Sequence, residues 1–198
     1  IYIYLKNYFD KKNLVKKKKW KAIVTTGPTR EYIDPVRYIS NESSGKQGHE
    51  IAIELNKLGI KTTLITGPSH LVFSKDLKVK KIISGEEMLN EVKKSLPVDL
   101  AICTAAVTDF KPASKSKNKI KKNKNLKSMS FVKNNDILEY ISTNNKNRPR
   151  LVAGFSAETE NLIENSISKM KKKHCDIIFA NDISQKDSGL IQITTKFQ

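Results

Sequence analysis

Phosphate binding is the chemistry best suited to the residues from Thr25 to Gly48, TTGPTREYIDPVRYISNESSGKQG. Ser43, Ser44 and Gly45 are small and stand just ahead of Ile51, Leu55 and Leu58, an i, i+4, i+7 apolar stripe. A helix starting near Gly45 presents free backbone N–H groups there, with little side-chain bulk to hold an anion away. Ser44 and Gln47 also have the S-x-x-Q spacing of a capping box. An ordinary capped helix with a serine-rich lead therefore answers to the same residues. Gly45-Lys46 does not make a P-loop, since Gln47 replaces the Ser/Thr and Ser40 stands where the first glycine belongs. Gly27, Pro28, Asp34 and Pro35 break regular structure, because glycine permits positive φ and proline fixes φ and removes a donor. The stretch reads as a shaped loop.

A second group of chemically capable residues follows the run Asp99–Cys103. After Thr104, Ala105 and Ala106 are small enough for a flat base to lie against the backbone. Asp109 offers a carboxylate to an amino group or a ribose, or caps the next turn. Residues 111–127 are rich in lysine and poor in large apolar side chains, and are expected to be mobile when empty. Lys133 and Asp136 bracket Asn134-Asn135 ahead of a short helix, Ile137–Ile141. Phe155, in LVAGFSAET, is either a core ring or a platform for a base. In the next helix Ile163, Ile167 and Met170 form the inward stripe, and Lys169 and Lys173, at i and i+4, make a cationic edge on another face.

The elements that must position these groups alternate. Lys21–Thr25 and Lys61–Thr66 are short β-branched strands flanking the helix of residues 45–58, a βαβ unit. Lys78–Ile83 reads as a strand, and Ser84 with Glu87 makes a capping box ahead of Met88, Leu89, Val92 and Leu96. Asp99–Cys103 (DLAIC) has the near-continuous apolar character of a central parallel strand. Ser128–Val132, Leu151–Thr159 and Asp176–Ala180 complete the strand set. The pattern predicts an α/β fold, Rossmann-like and doubly wound, with a mostly parallel sheet and helices on both faces. Ligands of such sheets bind at the carboxyl ends of the strands, where both residue groups lie.

The string Thr25–Gly48 closely resembles the signature of phosphopantothenate–cysteine ligases, roughly T-x-G-P-T-x-E-x-(I/L)-D-P-V-R-x-I-S-N-x-S-S-G-K-x-G, and keeps every fixed position. Thr104–Lys122 (TAAVTDFKPASKSKNKIKK), the G-F-x-A-E-T match at Gly154–Thr159 and Asn181-Asp182 extend the resemblance over Lys21 to Asp182. It departs where the family has K-x-P-D, since Asn135 replaces the proline, and after Asp182, where only Ile191–Thr195 remains of a strand and final helix. A shortened end predicts lowered stability with the site retained.

This resemblance implies an enzyme of coenzyme A biosynthesis. The family activates the carboxylate of 4′-phosphopantothenate with a nucleoside triphosphate, releasing pyrophosphate. The amino group of L-cysteine then displaces the nucleoside monophosphate, giving 4′-phosphopantothenoylcysteine. The bacterial look of the Ala105–Pro112 and Lys119–Lys122 blocks implies CTP, hence an acyl-cytidylate, with Mg²⁺ carried by the triphosphate. By resemblance, Asn41 and Lys119 are catalytic, with Lys121 and Lys122 possible substitutes for Lys119, and Asn41 meets the substrate; Arg37 binds the substrate on its pantothenate side or braces a subunit contact. Gly27, Ser43, Ser44, Gly45, Thr104, Ala105, Ala106, Asp109, Lys119, Lys133, Asp136, Phe155, Lys169 and Lys173 bind the nucleotide. The resemblance also implies a homodimer. In many bacteria such a ligase is fused behind a flavin-dependent decarboxylase. Residues 1–20 would then be a linker or arm and 21–198 the nucleotide-binding ligase domain, with no flavin held by this chain.

Composition invites other readings. A net charge of +17 on 198 residues suggests nucleic acid, yet every basic residue except Arg30, Arg37, Arg148 and Arg150 is lysine. Base-edge readers favour arginine, and the aromatics do not interleave with the basic runs, so an RNA-binding module is disfavoured. A nicotinamide oxidoreductase would need the G-x-G-x-x-G fingerprint, which is absent. Cys103 and Cys175 show no C-x-x-C spacing, and His49, His70 and His174 are scattered, so buried thiols and no metal site are expected. No apolar run is long enough for a membrane helix and no signal pattern opens the chain, which predicts a soluble cytoplasmic protein.

Overall fold

A computed structural model describes residues 20–121, 128–184 and 190–194. The linker or arm expected at 1–20, apart from Trp20, and Lys122 lie outside the described residues.

The sequence alternation becomes one seven-stranded sheet with two small antiparallel ribbons beside it. Its strands are β1 (Lys21–Thr26), β4 (Lys61–Thr66), β5 (Lys78–Lys81), β6 (Leu100–Cys103), β9 (Leu151–Glu158), β10 (Ile177–Asp182) and β11 (Leu190–Thr194). They lie in the order β5-β4-β1-β6-β9-β10-β11, parallel throughout except for β11. Sequence order reverses between β1 and β6, and this is the switch point at which open α/β sheets leave a crevice.

Alternation of side chains along β1 divides the core. Ala22 and Val24 face α1 (Lys46–Lys57), which contributes Ile51, Ala52 and Leu55. Ile23 faces the opposite layer, built from α2 (Gly85–Ser95), α3 (Ile137–Thr143) and α4 (Leu162–Lys173) through Met88, Val92, Ile141 and Met170. Leu55, Leu64, Ile65, Met88 and Ile141 are fully buried, each contributing about 1.5–3 kcal/mol relative to exposure. The expected helices on both faces are present.

Four local readings change. The stretch between Arg30 and Ser40 is a hairpin, β2 (Arg30–Asp34) and β3 (Arg37–Ser40), because the Asp34-Pro35 turn reverses the chain within it. The strand expected at Ser128–Val132 is shorter and later, β8 (Phe131–Lys133), and pairs outside the main sheet with β7 (Phe110–Pro112). Ile163 is exposed, since α4 turns Ser166 and Met170 inward, which moves Lys169 and Lys173 to the border of the buried face. Finally, Ser44 is not the N-cap of α1, and its hydroxyl accepts from Lys46 N at 3.3 Å instead of from Gln47 N. The N-cap is Gly45, with φ 76° and no side-chain cap, a left-handed conformation that glycine adopts without steric cost. The second capping box holds in part: Ser84 accepts from Glu87 N, while the Glu87 carboxylate reaches Ile83 N instead of Ser84 N.

Candidate active site

The first functional group assembles at the tips of β1 and β6. Pairing continues past both strands, with Ala106 N donating to Gly27 O at 3.0 Å and Thr29 N to Ala106 O at 3.3 Å. Thr104 joins this seam, its N–H and its hydroxyl both donating to Thr25 O. Helix α1 sits hard against the seam: a Cβ on Gly48 would lie 2.3 Å from the Thr104 hydroxyl oxygen and 2.4 Å from that of Thr26. The start of α1 is thereby fixed, with the Thr26 hydroxyl donating to Gly45 O at 2.8 Å. Ser43 and Ser44 lead into it from the hairpin, and Ser44 O accepts from the Ser69 hydroxyl at 2.9 Å.

The second group surrounds a cleft of about 900 Å³ between the ends of β6 and β9 and the helices α3 and α4. Of the expected residues, Ala105, Asp109, Lys133, Asp136, Phe155, Lys169 and Lys173 line it. Gly27, Ser43, Ser44, Gly45, Thr104 and Ala106 lie instead at the β1 side of the switch point. Asn41 bridges the two groups, because its side-chain amide donates to the carbonyl of Val107, a cleft residue, at 3.2 Å. Lys119 is exposed and does not line the cleft, and Arg37 sits on the hairpin in contact with Ile120.

Charge in the cleft is arranged, not merely abundant. Lys173 Nζ lies 2.6 Å from Asp136 and 2.9 Å from Glu139. Burial pulls the Lys173 pKa down, but hydrogen bonds to Asp136 and Glu139 outweigh it and hold the ammonium above its ordinary value. Asp136 also caps α3, accepting from Glu139 N at 2.8 Å, so one carboxylate orders both the helix start and the lysine. Lys169 Nζ donates to Phe155 O at 2.8 Å. The Phe155 ring packs against the core on the α1 side, 5.2 Å from the Phe179 ring. Cys103, also lining the cleft, has its thiol pushed up to about 12 by burial, which keeps it protonated and unreactive at neutral pH.

Glu31 and Asn134 escaped the sequence reading. The buried Glu31 carboxylate accepts from Gly85 N at 2.8 Å and from the Asn134 side chain at 3.0 Å, tying hairpin, α2 and β8 together under the cleft. Asn134 also donates to Thr108 O and, through its N–H, to Asp109 O. The only available signal was Glu31's place in the long motif, which does not disclose a partner more than a hundred residues away. Among the described residues, no group of three or more His, Cys, Asp or Glu could hold a metal ion, and no helix is long and apolar enough to cross a membrane.

The model of the DNA/pantothenate metabolism flavoprotein C-terminal domain matches residues 17–198. The chain belongs to that family. The coenzyme A biosynthesis bifunctional protein CoaBC of Borreliella burgdorferi is 40% identical over 190 residues, 94% of this chain and 48% of that protein. Its counterpart in Vibrio cholerae is 39% identical over 186 residues, 92% and 46% respectively. The chain thus spans about half the length of the curated relatives it matches. A crystal structure of the C-terminal domain of a CoaBC protein is 32% identical with a TM-score of 0.73, covering 91% of this chain and 88% of that one. A Cab2 variant in complex with phosphopantothenate-cysteine shares the fold at 14% identity and a TM-score of 0.73.

Proposed function

We propose that this chain is a phosphopantothenate–cysteine ligase using CTP. The observation that carries the reading is the cleft beside the switch point, in which Lys133, Lys169 and Lys173 converge with Asp109 beside Ala105, Val107 and Thr108. Such a cleft suits a nucleoside triphosphate: lysines for phosphate charge, small residues along the base, and a carboxylate for an amino group of the base. Cytosine carries that donor at its N4 amino group. Membership of the family and the likeness to CoaBC proteins support the same reading.

The reaction needs little covalent work from the protein. A carboxylate oxygen of 4′-phosphopantothenate attacks the α-phosphorus of CTP, and pyrophosphate leaves with the electron pair of the broken P–O bond. The cysteine amine then attacks the acyl carbonyl, CMP departs, and the nitrogen loses a proton. Positioning and charge stabilisation are the protein's contributions. Asn41 donates its amide to the acyl oxygen, from a place already turned toward the cleft wall. Lys119 acts on the triphosphate, and the serines and Gly45 ahead of α1 present N–H groups to phosphate. Asp136 and Glu139 are already engaged by Lys173, so Mg²⁺ arrives held by triphosphate oxygens and water. The enzyme acts in the cytoplasm as a homodimer, with Tyr38, Phe110 and Phe131 exposed on the two ribbons as the apolar surface for a second copy. In the longer protein a flavin-dependent decarboxylase domain precedes it.

Transfer of isotope tests the intermediate. With ¹⁸O in the phosphopantothenate carboxylate, one label appears in CMP if an acyl-cytidylate forms. Unlabelled CMP, or label in inorganic phosphate, refutes it.

A further inference from the structure

Asp34 ends β2 and is fully buried, yet its carboxylate serves a segment 86 residues away. One oxygen accepts from Val36 N at 2.9 Å and Arg37 N at 3.0 Å, closing the hairpin turn. The other accepts from Arg37 Nε at 2.9 Å, from Arg37 Nη2, and from Ile120 N at 3.2 Å. Arg37 Nη2 also donates to Ile120 O at 2.9 Å. The main chain of Ile120 is therefore gripped on both sides, its N–H by Asp34 and its carbonyl by Arg37. Ser116 N donates to Ile33 O at 2.9 Å, and Lys115 Nζ stands 5.0 Å from the centre of the Tyr32 ring. The Arg37 guanidinium, opposed by burial and helped by the Val36, Ile120 and Arg37 N–H groups, holds the Asp34 carboxyl far below the usual carboxylate range. It accepts as an anion at every working pH.

We infer that Asp34 and Arg37 are positioning residues that clamp the Ile120 peptide to the hairpin and so aim Lys119, the residue before it, at the nucleotide's phosphates. The inference rests on the CTP reading above and assigns Arg37 a role through Lys119 instead of through the substrate. A clamp of this kind lowers the cost of ordering the main chain at Ile120 when nucleotide binds. Within the lysine-rich stretch 111–127, Ser116 and Ile120 both contact the hairpin through their N–H groups.

Two measurements test this. Hydrogen exchange on the nucleotide-free protein reads the clamp alone: the Ser116 and Ile120 amides are protected in the wild type and exchange at least about tenfold faster in Asp34→Asn. Equal exchange in both overturns the clamp. Titration with CTP and with CMP reads the link to Lys119. Asp34→Asn weakens CTP about tenfold and leaves CMP within about twofold, Lys119→Met does the same, and the double variant is no worse than Lys119→Met alone. Weakening of CMP and CTP together, or additive losses, overturns the positioning role. Arg37→Lys, which keeps the charge but cannot span both groups, gives the same CTP-selective loss should Asp34→Asn fold poorly. A wild type that binds neither nucleotide while its amides are protected refutes the CTP reading and leaves the clamp standing.

Discussion

Two clefts in this molecule are lined with lysine, at opposite ends of the parallel strands of one sheet. The larger, at the carboxyl ends of the strands, sets Lys133, Lys169, Lys172 and Lys173 among Asp109, Asp136 and Glu139. The smaller, of about 490 Å³ at the amino ends of β1, β4 and β5, gathers Lys21, Lys61, Lys78, Lys80 and Lys94 around Glu91. In the first, Lys173 is gripped by two carboxylates and Lys169 by a carbonyl, so the ammonium groups are held in place. In the second, Lys21 and Lys61 are register partners on neighbouring strands, and Glu91, the carboxylate lining it among the described residues, is taken by Lys94 at 2.7 Å. Like charges side by side on a sheet cost stability. Lysine count therefore does not mark a site. What sets the larger cleft apart is its place at the carboxyl ends of the strands and the two carboxylates that hold Lys173.

The largest effect expected from breaking this comparison lies at Asn41, which bridges the cleft and the β1 side. Asn41→Asp folds normally and loses about a hundred- to a thousandfold in turnover of the acyl-nucleotide; a single-turnover assay showing near-normal decay of the intermediate removes Asn41 from the chemistry. Next comes Lys173→Met, which deletes a cation and leaves Asp136 and Glu139 facing the phosphates. Hydrogen bonds to charged groups contribute about 1.5–3 kcal/mol, so CTP affinity by calorimetry falls about tenfold to a hundredfold. An unchanged affinity would place Lys173 outside the nucleotide's reach.

The smaller cleft supplies the opposite expectation. Lys61→Ala combined with Lys78→Ala leaves CTP affinity and turnover within about twofold and raises thermal stability slightly in low salt. A fivefold loss of turnover would show that the amino-end lysines are coupled to the site. The smallest effect concerns alkaline pH. Because the Lys173 pKa is raised when folded, its ion pairs stabilise the protein fully below the ordinary value of 10.5 and lose that effect as pH climbs through the higher folded value. The melting-temperature gap between wild type and Lys173→Met is constant at neutral pH and narrows above about pH 10.5.

Much of this was legible in the residues themselves. Strict apolar runs such as Leu100–Cys103 and the stripe Ile51, Leu55 disclosed the parallel sheet, because burial on both faces leaves few other choices. The long Thr25–Gly48 string pointed to the strand-end site. What local pattern could not disclose is where distant segments meet. Nothing near Asp34 announces Ile120, and nothing near Glu31 announces Asn134 and Gly85. Capping was misread at Ser44 for a related reason: the left-handed φ of 76° at Gly45, together with its tight approach to Gly27, favours glycine at the cap, and that geometry comes from packing. The phase of α4 likewise follows from docking Met170 while bringing Lys169 and Lys173 to the cleft, which periodicity alone placed one position off.

Pyrophosphate release tests the account most directly. Protein, CTP, Mg²⁺ and 4′-phosphopantothenate are mixed without cysteine, with ATP in a parallel reaction, and cysteine is added afterwards. Release that requires phosphopantothenate and favours CTP is expected, reaching about one equivalent per site, followed by steady CMP formation once cysteine is present. A folded protein that releases no pyrophosphate in response to phosphopantothenate contradicts it.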